Sequence, residues 1–337
     1  MVLVAIIAIV LSSLILIKSA DWVVDSTRRL GKDTKIGNFA LASILLALAT
    51  SLPELFVGIS SALSGQPTLS LGNLLGANIA DIALVLGVVG VFGGVIVLRT
   101  HQDEKIKFTM QRNLLIALFA GLLPIVLLWD RSLSRVDGVL LLLFYVGYVS
   151  GFFQKRVFSN AEVDAGSKGS FWTRLLEGIE TGKGGVRGDL LRFLAGILVL
   201  IVSARVIIFA ASFIATSLGV PLILVGLSIL AIGTTLPEIA FAYRSIKENA
   251  PNLALGTAVG SAVTNASLIL GVVVLISPIT VAARREYLLA AITFALVVGI
   301  FWLLIRTGLK INRLEAGVLL LVYIAFIALE WLGFRLF

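Results

Sequence analysis

Two short stretches of this chain carry groups able to do chemistry, and they are near copies of each other: Ala47-Leu-Ala-Thr-Ser-Leu-Pro-Glu54 and Ala231-Ile-Gly-Thr-Thr-Leu-Pro-Glu238. Each sets a hydroxyl pair (Thr50 and Ser51, Thr234 and Thr235), a proline (Pro53, Pro237) and a carboxylate (Glu54, Glu238) inside an apolar run long enough to cross a bilayer. A carboxylate at membrane depth is costly and is kept where an ion or proton path needs it. Proline lacks an N–H and clashes with the carbonyl four residues back, so Pro53 and Pro237 should open the helical ladder and free backbone oxygens. Thr50 and Glu54 are four apart, as are Thr234 and Glu238, which puts each pair on one helix face. Brought together, the two faces offer two carboxylates, hydroxyls and carbonyls. Calcium favours such an all-oxygen shell of about six to eight ligands, and sodium accepts similar oxygens. The competing readings are hydroxyls bonded back to the preceding turn and glutamates paired with Lys18 or Arg205, the two basic residues inside apolar runs.

A second pair of stretches follows the first: Gly72-Asn-Leu-Leu-Gly-Ala-Asn-Ile-Ala-Asp81 and Gly256-Thr-Ala-Val-Gly-Ser-Ala-Val-Thr-Asn265. Glycines four apart let another helix approach closely. Packing does not account for the polar residues, so Asp81, Asn265 and Ser261 join the candidate ion site.

The elements that must position these groups are membrane helices. The chain is 59% hydrophobic and 14% charged, with mean hydropathy +1.07, well outside the range of soluble domains. It contains no cysteine, so disulfides are excluded. The net charge of +8 suggests nucleic acid at first sight, but the basic residues sit in short loops without a basic face, and no nucleic-acid partner is expected. At about 20 residues per span, hydropathy predicts ten helices near 2–27, 37–63, 70–98, 112–129, 136–153, 190–217, 221–245, 254–279, 287–305 and 314–333. The first run lacks the basic leader of a signal peptide and is kept as a span. With the N-terminus outside, twenty Lys and Arg fall in inward segments and five outward, the bias that sets topology. Both termini are therefore expected on the extracytoplasmic face.

A constant offset of 184 residues aligns Thr50 with Thr234, Leu52-Pro53-Glu54 with Leu236-Pro237-Glu238, Pro67 with Pro251, Gly72 with Gly256, Gly76 with Gly260 and Leu86-Gly87-Val88-Val89 with Leu270-Gly271-Val272-Val273. Shared hydrophobicity does not align prolines, glycines and glutamates together, so the chain is an internal duplication. Five spans per half force the halves into opposite orientations. The expected fold class is an all-α polytopic membrane protein, ten transmembrane helices as two five-helix inverted-topology repeats, a layout whose sites lie near the midplane on interrupted helices. The domains follow: 1–153 and 190–337 as repeats, with motif regions at about 37–89 and 221–273, and a cytoplasmic linker at 154–189. Within the linker, Phe171, Trp172, Leu175, Leu176 and Ile179 can line an interfacial helix or belong to a flexible tether.

These motifs resemble the sodium/calcium exchanger family of the cation/calcium antiporter superfamily, in its prokaryotic type. Its two repeats carry G-T-S-L-P-E followed by G-N-x-x-G-S-N-x-x-N/D, and the likeness spans nearly the whole chain. The resemblance implies that Glu54 and Glu238 ligate calcium with Thr50 and Thr234. It implies flanking sodium sites at Ser51, Thr235, Ser261 and the carbonyls of Ala47 and Ala231, with Asp81 and Asn265 alongside. The helices matching the first and sixth spans are expected to slide across the rest. This chain departs from the pattern at Ala49, where the motif has glycine, and at Ala77, where a serine hydroxyl is expected; the second departure weakens one sodium site. The G-N-x-x-E motif of proton/calcium exchangers is absent.

The expected function is thus a secondary active antiporter exchanging Ca2+ for Na+ by alternating access in the plasma membrane. The alternatives are a proton-coupled exchanger on the same scaffold and a cation channel. No enzymatic activity and no cofactor are expected beyond the transported Ca2+, Na+ or H+. The partners are the lipid bilayer and these cations, and a single copy suffices for transport. His101 reads as a solvated loop residue, Lys18 and Asp21 as a snorkelling pair, and Arg284 and Arg285 as headgroup contacts.

Overall fold

A bilayer offers backbone N–H and C=O groups no partners, so apolar runs free of turn residues satisfy their own ladders as helices. The computed structural model describes residues 1–30, 51–93, 96–97, 104–159, 186–247, 251–281, 284–308 and 310–336. In chain order the helices are α1 (Val2–Leu30), α2 (Leu52–Leu63) and α3, which is α-helical over Pro67–Ile79, π-helical over Ala80–Val85, α-helical over Leu86–Val88 and π-helical over Val89–Gly93. Next come α4 (Glu104–Leu127), α5 (Arg135–Ser159) and α6 (Val186–Leu218). In α7 the segments Leu222–Val225 and Ala231–Lys247 flank a π turn at Gly226–Leu230, and in α8 Pro251–Val263 and Leu270–Ile276 flank one at Thr264–Ile269. The last two are α9 (Arg284–Gly308) and α10 (Arg313–Leu336).

Among the described residues, seven helices are long and apolar enough to cross a membrane, within α1, α3, α6, α7, α8, α9 and α10; Leu52–Leu63 and Leu115–Asp130 are shorter apolar stretches. Ten spans are expected from hydropathy, and the differences have local causes. The second predicted span begins near residue 37, and residues 31–50 lie outside those described. The first half of α4 carries Glu104, Lys105, Lys107 and Arg112, and the uncharged run of α5 is bounded by Asp137 and Lys155. The predicted linker helix and His101 also lie outside the described residues.

The ends of α2 and α6 are stopped by glycine in the left-handed region, Gly65 at φ +71° and Gly219 at φ +65°. In each case the following N–H reaches back five residues, Gln66 to the Ser61 carbonyl at 2.9 Å and Val220 to the Ala215 carbonyl at 3.0 Å, a closure that other residues enter with strain.

Among the described residues, four two-residue strands link distant segments: β1 (Ile96–Val97), β2 (Ser132–Leu133), β3 (Ile279–Thr280) and β4 (Lys310–Ile311). β1 pairs antiparallel with β4 and β2 with β3, so the strand leaving α3 meets the one preceding α10, and the strand leaving α8 meets the one after α4. The helices repeat the exchange. A Cβ on Gly87 of α3 would lie 3.0 Å from Leu320 Cβ and 3.1 Å from the Ala316 carbonyl of α10; one on Gly271 of α8 would lie 2.9 Å from Leu142 Cγ and 3.0 Å from the Gly138 carbonyl of α5. Gly58 of α2 meets Ile269 and Val273 of α8, and Ala242 of α7 shares a cluster with Val85 and Val89 of α3, the positions 184 residues away. The first half of α3 lies against the second half of α8, and the π turn of α3 against the first half of α8, so these equivalent helices run antiparallel.

Among the described residues, two apolar clusters are larger than the one around Ala242. The larger of the two joins α3, α4, α5, α8, α9 and α10, with Ala62 of α2 and Ile223 and Leu227 of α7. The smaller holds α1 and α6 together, with Val57, Leu69, Leu224 and Leu230 from the adjoining helices. The outer faces of that pair, including Leu3, Leu11, Leu14, Leu198, Val202 and Phe209, are exposed, which is the surface hydrocarbon would cover.

Candidate ion site

The site is built where α2, α3, α7 and α8 approach one another. Glycine sets the distance between α3 and α7: a Cβ on Gly72 would fall 2.2 Å from the Ile223 carbonyl, on Gly76 2.4 Å from the Leu227 carbonyl and on Gly226 2.4 Å from the Leu69 carbonyl. Only glycine tolerates backbones this close. The polar faces of α3 and α7 are thereby brought into contact, and Thr234 Oγ1 donates to Asn73 Oδ1 at 3.3 Å.

Ser51 is a turn residue capping α2, Pro53 occupies its first turn and Glu54 follows. Pro53 is accommodated because the first turn leaves N–H groups unpaired anyway; the carbonyl it would release belongs to residue 49, outside the described residues. Pro237 instead sits inside α7, where its missing N–H leaves the Gly233 carbonyl, four residues back, without its ladder donor. Glu54 lies within hydrogen-bonding reach of the Thr234 hydroxyl, and Asp81 is near enough to Glu54 for their charges to repel. Thr234 also approaches the Ala231 carbonyl at 3.5 Å. One hydroxyl proton thus faces three acceptors.

The remaining candidates follow by register. Glu238 is one turn beyond Thr234, and Thr235 is adjacent to it. Gly58 meets Ile269, and a turn earlier on each helix stand Glu54 and Asn265; the equivalent contact of Ala242 with Val85 has Glu238 and Asp81 a turn earlier. Ser261 lies a turn before Asn265. Asp81 and Asn265 are each the second residue of a π turn, Ala80–Val85 and Thr264–Ile269. Such turns widen the ladder and are concentrated at functional sites.

All of these groups are buried: Ser51, Glu54, Asp81, Thr234, Thr235, Glu238, Ser261 and Asn265 are each at most 3% exposed, and Ala231 is fully covered. Thr50 and Ala47 lie outside the described residues. The oxygens Ser51 Oγ, Glu54 Oε2, Asn78 Oδ1, Asp81 Oδ2, Thr235 Oγ1 and Asn265 Oδ1 have no hydrogen-bond partner, whereas Asn73 Nδ2 is the sole nitrogen in that condition among the described side chains. Buried polar atoms are almost always satisfied, so a surplus of lone pairs over protons marks a place for a cation. No three acidic or histidine side chains among the described residues stand close enough to hold a metal ion by themselves. Hydroxyl, amide and carbonyl oxygens must complete any shell around the carboxylates.

The sequence profile of the sodium/calcium exchanger proteins matches residues 4–154 and 189–332. The chain belongs to that family. Among relatives of the exchanger, the putative antiporter CaxA of Alkalimonas amylolytica is 30% identical over 332 residues, covering 96% of this chain and 98% of that one. The sodium/calcium exchanger MaX1 of Methanosarcina acetivorans is 26% identical over 356 residues, covering 97% and 98%. Among solved structures, the sodium-calcium exchanger NCX_Mj soaked with 10 mM Na+ and 10 mM Sr2+ superposes with a TM-score of 0.62 at 23% identity, over 97% of this chain and 99% of that one, a likeness of fold.

Three buried polar residues with an unpartnered side-chain atom near the candidate site escaped the reading of types and spacing: Asn73, Asn78 and Tyr323. Asn73 and Asn78 stand in the second motif, and Asn78 lies three residues before Asp81 on the same face, which is the signal that could have found them. Tyr323 is on α10, far from either motif, and nothing local marks it. Of the basic residues weighed as partners for the glutamates, Arg205 donates instead to Ser64 Oγ at 3.0 Å, beyond the far end of α2. Lys18 is exposed and the side chain of Asp21 is outside those described. Arg285 donates to the Gly333 carbonyl.

Proposed function

We propose that this exchanger is a secondary active antiporter that moves Ca2+ against Na+ across the plasma membrane by alternating access. The observation that carries the reading is the buried surplus of oxygen acceptors around Glu54 and Asp81. A divalent ion balances two carboxylates in the dry interior, where an unbalanced charge is costly. Glu54 and Glu238 supply the charge, with Thr50 and Thr234 beside them. Ser51, Thr235, Ser261 and the carbonyls of Ala47 and Ala231 hold the flanking sodium ions. Asp81 and Asn265 border the set. Ala77, buried and without a hydroxyl, leaves one flanking site short of a ligand, so fewer sodium ions per cycle are expected than a complete set would hold.

In this reading the chain crosses the membrane ten times as two inverted five-helix repeats, 1–153 and 190–337, joined by a cytoplasmic linker at 154–189, with both termini outside. The exchanged strand pairs and the antiparallel course of α3 and α8 support it. The extensive packing of α1 on α6 supports their movement as a unit against the bundle. No catalytic chemistry and no cofactor are involved.

The test is calcium uptake into proteoliposomes driven by an outward sodium gradient or by a pH gradient. Uptake with sodium and none with the pH gradient is expected; the reverse establishes proton coupling, for which Asp81 is the available third acid. Leakage of both ions without countertransport would indicate a channel. Glu54→Gln and Glu238→Gln should each abolish calcium binding, and retention of binding by either removes that glutamate from the site.

A further inference from the structure

Each half of the molecule sets one tyrosine against a π turn of the ion site. Tyr323 on α10 and Tyr145 on α5 are 178 residues apart, the same offset that relates Ala316 to Gly138 and Leu320 to Leu142 in the glycine contacts of these helices. Their ring partners match as well. Tyr323 and Phe326 have centroids 6.3 Å apart, as do Tyr145 and Tyr148. The two tyrosines are therefore equivalent in the duplication, held by equivalent neighbours.

Their hydroxyls meet different surroundings. Tyr145 is within hydrogen-bonding reach of Thr264, the first residue of the α8 π turn. The equivalent position in α3 is Ala80, which offers no hydroxyl. Tyr323 is 3% exposed and its hydroxyl has no partner, while the Oδ2 of Asp81, 2% exposed, also has none. The two groups are within electrostatic reach of each other. A buried phenol and a buried carboxylate oxygen, both unsatisfied and carried by α10 and the α3 π turn that pack against each other, can form a charge-assisted hydrogen bond once the carboxyl turns about its own side-chain bonds.

We propose that Tyr323 is a positioning residue for the ion site, its hydroxyl donating to the Asp81 carboxylate when a sodium ion is bound and so presenting the other carboxylate oxygen to that sodium. Tyr145 has no such role, because Thr264 takes its hydroxyl. The proposal rests on the ion site described above, and its test separates the two.

Purified full-length protein in detergent is loaded with radioactive calcium, and the sodium concentration displacing half of it is measured. Tyr323→Phe keeps the ring and removes the donor; it should raise that concentration about tenfold, the scale of a lost charged hydrogen bond. Asp81→Asn should raise it too, and Tyr323→Phe added to Asp81→Asn should change it less than twofold further, because the donor then has no carboxylate to hold. Tyr145→Phe should stay within twofold of the parent. Ala80→Thr, which gives Tyr323 the partner Tyr145 has, should act in the same direction as Tyr323→Phe and decides the matter if that variant does not fold. Half-displacement within twofold of the parent in Tyr323→Phe, or effects of Tyr323→Phe and Asp81→Asn that multiply, overturns the proposal while leaving the antiporter reading intact. Absence of sodium-displaceable calcium on the parent protein overturns both.

Discussion

Replacing Gly72 by alanine tests whether the ion site depends on the close approach of α3 and α7. The added Cβ would lie 2.2 Å from the Ile223 carbonyl oxygen, and such contacts essentially never fall below 3.0 Å. The obstacle is backbone, which has no rotamer to yield. The helices must therefore part by about 0.8 Å at this crossing. Asn73 is the next residue along α3, and its bond from Thr234 is already 3.3 Å long. Lengthened by that amount it exceeds any hydrogen bond. The loss is about 1 kcal/mol for the bond and about 1–3 kcal/mol for the buried groups left unpaired. The Thr234 hydroxyl thereby loses the Asn73 partner that helps fix it, so calcium affinity should fall at least about tenfold. Calcium titration of purified protein and thermal unfolding in detergent read the two effects. Gly147→Ala, at an exposed position with open space around it, is the control and should match the parent. If Gly72→Ala binds calcium within twofold of the parent and unfolds at the same temperature, close approach of these helices is not what builds the site.

Other consequences follow from the same geometry. Thr234→Val removes the hydroxyl facing Glu54, Asn73 and the Ala231 carbonyl, and should weaken calcium binding about tenfold in the same titration, whereas Thr234→Ser should retain most of it. Millimolar calcium should raise the unfolding temperature of the parent protein, as any ligand of the folded state does; the rise should vanish in Glu54→Gln, measured by unfolding scans with and without calcium. Gly121→Ala would drive a Cβ to 2.0 Å from the buried ring of Phe294, and should destabilise the protein by about 1–3 kcal/mol without altering sodium selectivity; Phe294→Leu in the same chain should restore part of the loss. Arg205→Ala removes an exposed bond between α6 and Ser64, and should lower stability by no more than about 1 kcal/mol.

Much of this arrangement could be read from residue types because two constraints act locally. Apolar runs bounded by loop residues gave the helices α6 to α10 within a few residues of their observed ends, and the 184-residue offset found in the sequence recurs in the contacts of Gly58 and Ala242. Glu54 and Glu238 stand out in the sequence by their cost at membrane depth, and both are buried. What could not be read depends on partners brought from elsewhere in the chain. The π turns at Ala80–Val85 and Thr264–Ile269 carry no local signature, since the same residues would close an ordinary helix. Tyr323 is brought toward the α3 π turn only because α10 lies along α3. Asn73 looked like a motif residue of unstated purpose until Thr234 of the other half was set against it.

The exchanged strand pairs have a consequence for how the chain is made. Ile96 is paired with Ile311, so an earlier segment waits for one made more than two hundred residues later before its edge is closed. Contacts so distant along the chain form slowly, since a long loop must be ordered before they stabilise anything. A ribosome-bound fragment ending after α5 therefore holds open backbone edges and an unfilled groove along α3. Each of these strands finds its partner only in the distant segment, so an edge left by the earlier one stays open until the later one is made.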